Sequence, residues 1–371
     1  MPAMDAPFDL ADGFGPAKVL HVTERRTGLR GILVVDNVAR GPAIGGLRMA
    51  PDVSLAECFR LARAMTFKNA AAGLAHGGGK SVVFADPRMP PPDKEALLRA
   101  FADAIRETTD YIVGPDMGTD EGCMAWMHDE TGRAVGLPAE LGGIPLDEIG
   151  ATGFGLASAS DVAREYCGHE LDGARVVVQG FGAVGRHAAR FLAKRGAVLV
   201  AAADSQGTVV DDDGLDVAAL AAHKAEGGSF ADYEGAERRE RDAVLDVPCD
   251  IWIPAARPDV LTADTVGRLD ARLVAQGANV PATPEAEAEL HRRGILSIPD
   301  FIANAGGVIC AAVEYRGGTA RLAFETIDEK IRANTREVLE QSRAQRTEPR
   351  QAARAMAEAR VRAAMNYRRF T

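Results

Sequence analysis

The stretch 174-ARVVVQGFGAVGRHAARFLAKRGAVLVAAAD-204 decides the fold. Its β-branched opening, 174-ARVVVQ-179, predicts a strand, and 186-RHAARFLAKR-195 predicts a helix that stops at Gly196. A second strand, 197-AVLVAAA-203, leads to Asp204. Between the first strand and the helix lies 180-GFGAVG-185, with glycines in G-x-G-x-x-G spacing. Three such glycines alone are weak support. A strand before them, a helix after them and an acid closing the next strand supply the context of a dinucleotide-binding turn. Gly180 permits the tight turn, Gly182 lets a pyrophosphate approach the backbone, and Gly185 lets the helix sit close to the strand. Phe181, Ala183 and Val184 complete the loop, and the helix start offers unpaired N–H groups and positive dipole charge. Asp204, with Ser205 beside it, lies where a carboxylate would accept from adenine-ribose hydroxyls. No Lys or Arg occurs from Ala197 to His223, so NAD is expected rather than NADP. Asp-Ser-x-Gly is also good turn chemistry, and that reading of Asp204 stays open.

A second glycine-rich stretch, 73-GLAHGGGKSVVF-84, looks like half of a phosphate-binding P-loop. That motif needs a glycine six residues before its lysine and a helix after it. Position 74 is Leu74, and Lys80 is followed by a strand pattern, so both requirements fail. Lys80 is therefore expected in a glycine loop entering a strand.

The 371 residues suit two domains. A net charge of −10 argues against nucleic acid or an acidic membrane as partner. No apolar run has the length of a membrane span, and the start lacks the pattern of a signal peptide. Five scattered cysteines, never in CxxC spacing, favour reduced thiols in a cytoplasm. No HxxxH pair or G-x-S-x-G elbow supports a metal centre or serine hydrolysis, so no metal is expected.

The Gly/Pro-rich segment 136-GLPAELGGIPLDEIGATG-153 is the natural boundary. Before it the periodicity gives a helix over 54–73 with a Ser54/Glu57 capping box, strand 81–84, a helix near 93–108 and strand 111-YIVG-114. Asp116 follows that strand directly, where binding chemistry collects in open α/β sheets. After the boundary come a helix over about 152–166, the dinucleotide turn, and strand-like runs at 250–254, 272–276 and 295–299. From about Thr319 the pattern is continuous helix to the end. The fold class is thus α/β with two domains: a substrate domain (1–145), a Rossmann doubly wound domain (146–335) and C-terminal helices (336–371) packing back on the first.

The segments 45-GGLRM-49, 66-TFKNAAAGLAHGGGKSVV-83, 114-GPDMGT-119, 151-ATGFG-155, 276-QGANVPATPEA-286 and 299-PDFIANAGGV-308 resemble the glutamate/leucine/phenylalanine/valine dehydrogenase superfamily, in its order, across roughly Val35 to Val313. On sequence alone Lys68 and Lys80 read as surface lysines; the resemblance changes that. It implies reversible oxidative deamination of an L-amino acid to a 2-oxo acid and ammonium. Lys68 would bind the α-carboxylate, Lys80 would activate water, and Asp116 would move protons to and from the nitrogen. Thr152 and Asn279 would contact the nicotinamide end, with Ala255 and Ala256 near its ribose and Asn304 by nicotinamide and substrate. A lysine base needs a lowered pKa, which burial and a neighbouring cation such as Lys68 provide. Family members assemble through the N-terminal domain, implying a homo-oligomer.

The glutamate enzymes carry a lysine directly before the Gly-Gly of this segment and a serine late in the helix after Asn-Ala-Gly-Gly. Here Ile44 precedes Gly45 and Gly46, and Ala311 takes the serine position. A glutamate side chain against Ile44 would bury an unpaired carboxylate. Ile44, Gly114, Val308 and Ala311 instead suggest a pocket for a branched or aromatic side chain, unless Phe67 or Met49 fills it. Glu314 and Arg316, just beyond, would change this answer if they reached the pocket; helical spacing favours a structural role for them. Glutamate dehydrogenase remains the alternative substrate reading. The rivals in kind are a hydroxy-acid dehydrogenase, with His76 as its acid–base group, and a non-catalytic NAD-binding sensor.

Overall fold

The first fifty residues, to which periodicity assigns no element, form three strands: β1 (Lys18–Glu24), β2 (Leu29–Asn37) and β3 (Ala43–Met49). They are followed by α1 (Leu55–Ala71), β4 (Gly77–Val83), α2 (Pro91–Ala104), β5 (Tyr111–Pro115) and α3 (Glu121–Thr131). The five strands make one sheet in the order β1-β2-β4-β3-β5. β1–β2 and β2–β4 pair antiparallel, and β3 runs parallel to β4 and β5. One face packs Leu98, Phe101, Met124 and Met127 against the strands. The other packs Cys58 and Ala62 of α1 against Ile32 and Val82. This is the computed structural model of the chain, and it describes residues 10–368.

β4 begins at Gly77, not at Ser81, so the glycines before Lys80 are strand residues and not a loop. A Cβ on Gly78 would lie 2.0 Å from the Thr66 nitrogen, so the missing side chain is what lets α1 press onto the sheet. Gly77 and Gly79 admit other neighbours, the Asn37 carbonyl and the Tyr111 ring.

The second group of elements comprises α4 (Leu146–Ile149), α5 (Ala151–Cys167), β6 (Arg175–Gln179), α6 (Ala183–Ala193), β7 (Val198–Ala203), β8 (Thr208–Val210), α7 (Val217–Ala225) and β9 (Glu237–Arg239). Then follow β10 (Ile251–Pro254), β11 (Leu273–Ala275), α8 (Pro284–Arg292), β12 (Leu296–Ile298), α9 (Asp300–Ala303), α10 (Gly306–Tyr315), α11 (Ala320–Gln345) and α12 (Pro349–Met365). The sheet order is β12-β11-β10-β6-β7-β8-β9, parallel from β12 through β7, with β8 and β9 antiparallel. β6 has β7 on one side and β10 on the other, so the chain reverses its direction of winding there. Crevices at the carboxyl ends of such strands are where α/β sheets bind ligands.

By contacts the chain forms two units. One holds the chain up to Pro145, Ala311–Leu322 and the described residues from Ala355 on; the other holds Leu146–Cys310 and Ala323–Arg354. The change of unit expected at 336 therefore falls elsewhere, at 311, 323 and 355. The expected continuous C-terminal helix is broken as well. Arg346 adopts φ 54°, and α12 restarts with Pro349, which has no N–H to continue α11. No helix among the described residues is long and apolar enough to cross a membrane.

Candidate active site

In the first unit, parallel pairing sets Gly46 of β3 opposite Gly114 of β5, and Leu47 opposite Pro115 and Ser81. That register brings Lys80, on β4, to Asp116, just past β5. The Lys80 ammonium donates to Asp116 Oδ2, and Arg48 Nε donates to the same oxygen at 3.2 Å. Arg48 also pairs through Nη1 with Glu57, in the first turn of α1. Asp116 is held by its backbone: its N–H donates to Thr119 Oγ1 (3.0 Å), whose hydroxyl donates to the Leu47 carbonyl (2.8 Å). A Cβ on Gly46 would lie 3.0 Å from Lys80 Nζ and 2.8 Å from Asp116 Cβ, so only glycine leaves room for the pair.

Lys80 is 6% exposed. Burial is the largest influence on it and lowers its pKa; Asp116 opposes this, Arg48 adds to it, and the net direction is down from the ordinary lysine value. For Asp116, burial works against ionisation, but the Lys80 charge and hydrogen bond outweigh it and hold the carboxyl below its usual range. Arg48 is thus a cation acting on Lys80 that sequence reasoning did not name beside Lys68. Lys68 lies half-buried in the last turn of α1. The signal for Arg48 stood in the GGLRM segment, but nothing in a one-dimensional pattern said that β3 would face Asp116.

Ile44 (3% exposed) and Ala311 (8%) present hydrocarbon in this unit. Gly45 is occupied differently: its carbonyl accepts from the Tyr111 hydroxyl at 2.8 Å. Gly114 does not add the room expected of it, because Val135 Cγ2 stands 3.2 Å from where its Cβ would be. Neither proposed filler is free to move in. Met49 belongs to the core under the sheet, and the Phe67 ring packs edge-on against Phe14 at 5.3 Å. Glu314 is buried and accepts from the N–H groups of Gly136 (2.7 Å), Leu137 (3.1 Å) and Ile144 (2.9 Å), a structural clamp on that loop. Arg316 is exposed. His76 Nδ1 faces the Pro42 carbonyl at 3.1 Å, and its ring packs on Tyr315.

In the second unit the turn 180–185 lies at the β6 switch point. Gly180 has φ 98°, and a Cβ there would strike Ala256 at 2.7 Å. A Cβ on Gly185 would lie 1.9 Å from the Gly180 carbonyl oxygen. Gly182, the N-cap of α6, has no atom within 4 Å of its Cβ position, and no side chain caps the helix. Open space before uncapped N–H groups fits a pyrophosphate. Ala183 and Val184 open α6, half-buried. The Phe181 ring is turned away onto Phe230 (5.4 Å), leaving its backbone for the loop.

Asp204 is not the free ribose acceptor that its position suggests. Its Oδ1 accepts from the N–H groups of Gln206 (2.8 Å) and Gly207 (3.1 Å), the turn chemistry of Asp-Ser-x-Gly. Its Oδ2 accepts from Phe230 N–H (2.9 Å) and Lys224 Nζ (2.6 Å). Lys224 sits one residue beyond the cation-free window 197–223, and α7 folds it back. Ser205 is exposed next to this cluster.

At the carboxyl end of β10, Ala255 donates to the Gln179 carbonyl at 2.7 Å, and Ala256 follows it. Asn304 Nδ2 donates to Asn279 Oδ1 (3.0 Å) and the Gly277 carbonyl (3.2 Å), while its Oδ1 is buried with no protein partner. An unmet acceptor there fits a ligand amide. Thr152, in the first turn of α5, faces the start of α10: a Cβ on Gly307 would lie 3.2 Å from its hydroxyl. Val308 is half-buried on α10.

A glycine turn of this kind at a switch point defines a class, the proteins that bind a dinucleotide. Within it, the chain belongs to the glutamate/leucine/phenylalanine/valine dehydrogenase family. Residues 142–369 match the model described as Glutamate/Leucine/Phenylalanine/Valine dehydrogenase, and residues 16–133 match Glu/Leu/Phe/Val dehydrogenase, dimerisation domain. It is an amino acid dehydrogenase, acting on a CH–NH2 group. It is similar to the NADP(+)-dependent glutamate dehydrogenase of Pyrobaculum calidifontis, with 40% identity over 77% of this chain and 72% of that one. The NAD-specific glutamate dehydrogenase A of Halobacterium salinarum is 37% identical over 86% of this chain and 78% of its own. Among solved structures, the hetero-hexameric glutamate dehydrogenase from Thermus thermophilus in a Leu-bound form has TM-score 0.82 and 29% identity, covering 95% and 90% of the two chains. L-tryptophan dehydrogenase from Nostoc punctiforme has TM-score 0.74 and 26% identity, covering 94% and 96%.

Proposed function

We propose that this dehydrogenase oxidatively deaminates an apolar L-amino acid, branched-chain or aromatic, reversibly and with NAD. The observation that carries the reading is the pair Ile44 and Ala311, both buried and hydrocarbon, at the two positions where the glutamate enzymes set polar groups. Burying a glutamate carboxylate there without a partner would cost several kcal/mol, roughly. Glutamate is the second reading, favoured by the names of the relatives. A panel of L-amino acids followed by reduced-cofactor absorbance at alkaline pH separates them: turnover of leucine, valine or phenylalanine above glutamate upholds the proposal, and the reverse order sinks it.

NAD rests on the negative charge of Asp204 at the adenosine end, which would repel a 2′-phosphate although both its oxygens are engaged within the protein. Lys224 on the same carboxylate is the argument for NADP, so the ratio of kcat/KM for the two cofactors decides. A preference for NADP removes the NAD assignment.

In the proposed mechanism Lys68 holds the substrate α-carboxylate. A nicotinamide bound at the second unit would supply the acceptor for the hydride that leaves Cα. Lys80, with its pKa lowered by burial, takes a proton from the water that attacks the resulting iminium carbon. Asp116, ionised, passes protons to and from the nitrogen until ammonium leaves. Asn304 contributes its unpaired Oδ1 at the nicotinamide end, with Thr152 and Asn279. The first unit serves the substrate and the second the dinucleotide. The chain works as a cytoplasmic homo-oligomer joined through the segment that matches the dimerisation domain. A monomer by light scattering removes the last point.

A further inference from the structure

Two residues other than glycine in the second unit hold positive φ at the carboxyl ends of neighbouring parallel strands: Asp259 (52°) after β10 and Val280 (48°) after β11. For a β-branched residue this region is a genuine outlier, held only where its surroundings fix it. The two are tied together, since Asp259 N–H donates to the Val280 carbonyl at 3.0 Å. Val280 is half-exposed, so packing of its side chain does not hold it.

What holds it is ionic and buried. Val280 N–H donates to Asp300 Oδ2 at 2.9 Å. Asp300 Oδ1 accepts from Arg350 Nη2 at 2.8 Å, and Arg350 comes from the first turn of α12. The same guanidinium pairs with Glu287 at 2.8 Å and donates to Gln276 Oε1 at 2.7 Å. Gln276 Nε2 closes the ring on Glu287 at 2.6 Å. Asp300, Glu287 and Gln276 are 6%, 5% and 0% exposed. An ion network this buried is lost as a unit when its one cation is removed.

We propose that Arg350 is a positioning residue for the dinucleotide site. Through Asp300 it clamps the Val280 backbone in its strained conformation and so fixes Asn279 and the Gly277 carbonyl, the partners of Asn304. The inference rests on the reading above that this loop meets the nicotinamide end.

The test compares wild type, Arg350→Lys, Arg350→Gln, Val280→Gly and the Arg350→Gln/Val280→Gly double variant in the full chain. Two readouts are used: reduced-cofactor binding by fluorescence titration, and hydrogen exchange of the 277–281 amides. Arg350→Gln should weaken binding roughly tenfold and speed exchange, raising KM for the dinucleotide while kcat at saturation holds. Arg350→Lys should fall between. Glycine adopts positive φ freely. In the Val280→Gly background the same Arg350 substitution should therefore cost less than about threefold, although the two side chains do not touch. Unchanged exchange in Arg350→Gln overturns the clamp, as does an equal loss in both backgrounds. Faster exchange with unchanged binding overturns the proposal through the site reading, by showing that the clamped loop is not where the dinucleotide sits.

Discussion

Replacing Arg48 by Met tests the electrostatics of the lysine site. Arg48 Nε and Lys80 Nζ donate to the same Asp116 oxygen, the former at 3.2 Å. The two cations therefore lie within about 6 Å of each other. At an effective dielectric near 20, their repulsion is about 3 kcal/mol. That is a ceiling of about two pKa units. Arg48 is 21% exposed, and solvent screening reduces the expectation to about one unit. Arg48 disfavours the protonated form of Lys80, so its removal raises the Lys80 pKa. The free base then appears only at higher pH, and the rising limb of kcat/KM for deamination should move alkaline by about one unit. Glu57 loses its partner and pushes the same way. Glu57→Gln alone should move the limb in the opposite direction, because Arg48 then acts on Lys80 uncompensated. The assay is the full pH profile of initial rates for the three proteins, with circular dichroism to show that they fold. A limb that stays in place in Arg48→Met, or moves acid, refutes the assignment of Lys80 as the titrating base.

Lys80→Ala should lower turnover by roughly 10²–10⁴-fold while the dinucleotide still binds in fluorescence titration; retained activity removes Lys80 from its role. Gly46→Ala sets a methyl 3.0 Å from Lys80 Nζ and 2.8 Å from Asp116 Cβ. It should cut kcat on the order of 10²-fold and also lower the melting temperature, since the Pro115 carbonyl oxygen stands 2.9 Å from the same methyl; an unaffected kcat would show that the pair relaxes freely. Glu314→Gln weakens three backbone hydrogen bonds to a carboxylate and should cost about 2 kcal/mol in urea unfolding. A change within about 0.5 kcal/mol would mean that the 136–144 loop holds itself.

What the sequence disclosed depended on whether a signal was local. The turn at 180–185 lies in consecutive residues, strand, glycines and helix, so its reading needed no partner from elsewhere. α1, β5 and α6 were legible for the same reason. β1 to β3 were not, because their pairing is with each other and with β4, and 43-AIGGLRM-49 has no alternation that marks an edge or a face. The glycines before Lys80 misled because G-G-G reads as a loop, whereas here each absent side chain admits a neighbour, the Asn37 carbonyl at Gly77 and Thr66 at Gly78 among them. Arg48 and Lys224 were missed because contacts between strands, or between a helix and a strand end, leave no periodic trace. The same cause undid the argument from a cation-free window, since α7 returns Lys224 to Asp204 from 20 residues away.

The missed arginine also changes how the site is to be read as a charge distribution. With Lys80 protonated, Lys80, Arg48, Asp116 and Glu57 sum to zero. Removing the Lys80 proton leaves the group with one net negative charge, centred on the buried Lys80–Asp116 pair. A cationic nitrogen on the substrate, whether ammonium or iminium, is favoured by that charge; a neutral hydroxyl or carbonyl gains nothing from it. Amine oxidation therefore suits the group better than hydroxy-acid oxidation. The rival's histidine is poorly suited as well. Burial is the largest influence on His76 and lowers its pKa below the ordinary imidazole range, which leaves less of its protonated form to donate in the reverse direction. Its Nε2 is buried without a protein partner, and its Nδ1 faces the Pro42 carbonyl and not the lysine site. The same sum explains why a separate cation is needed for the substrate. A group that is neutral or negative gives an α-carboxylate no attraction, and the role proposed for Lys68 follows from that deficit as much as from the family resemblance.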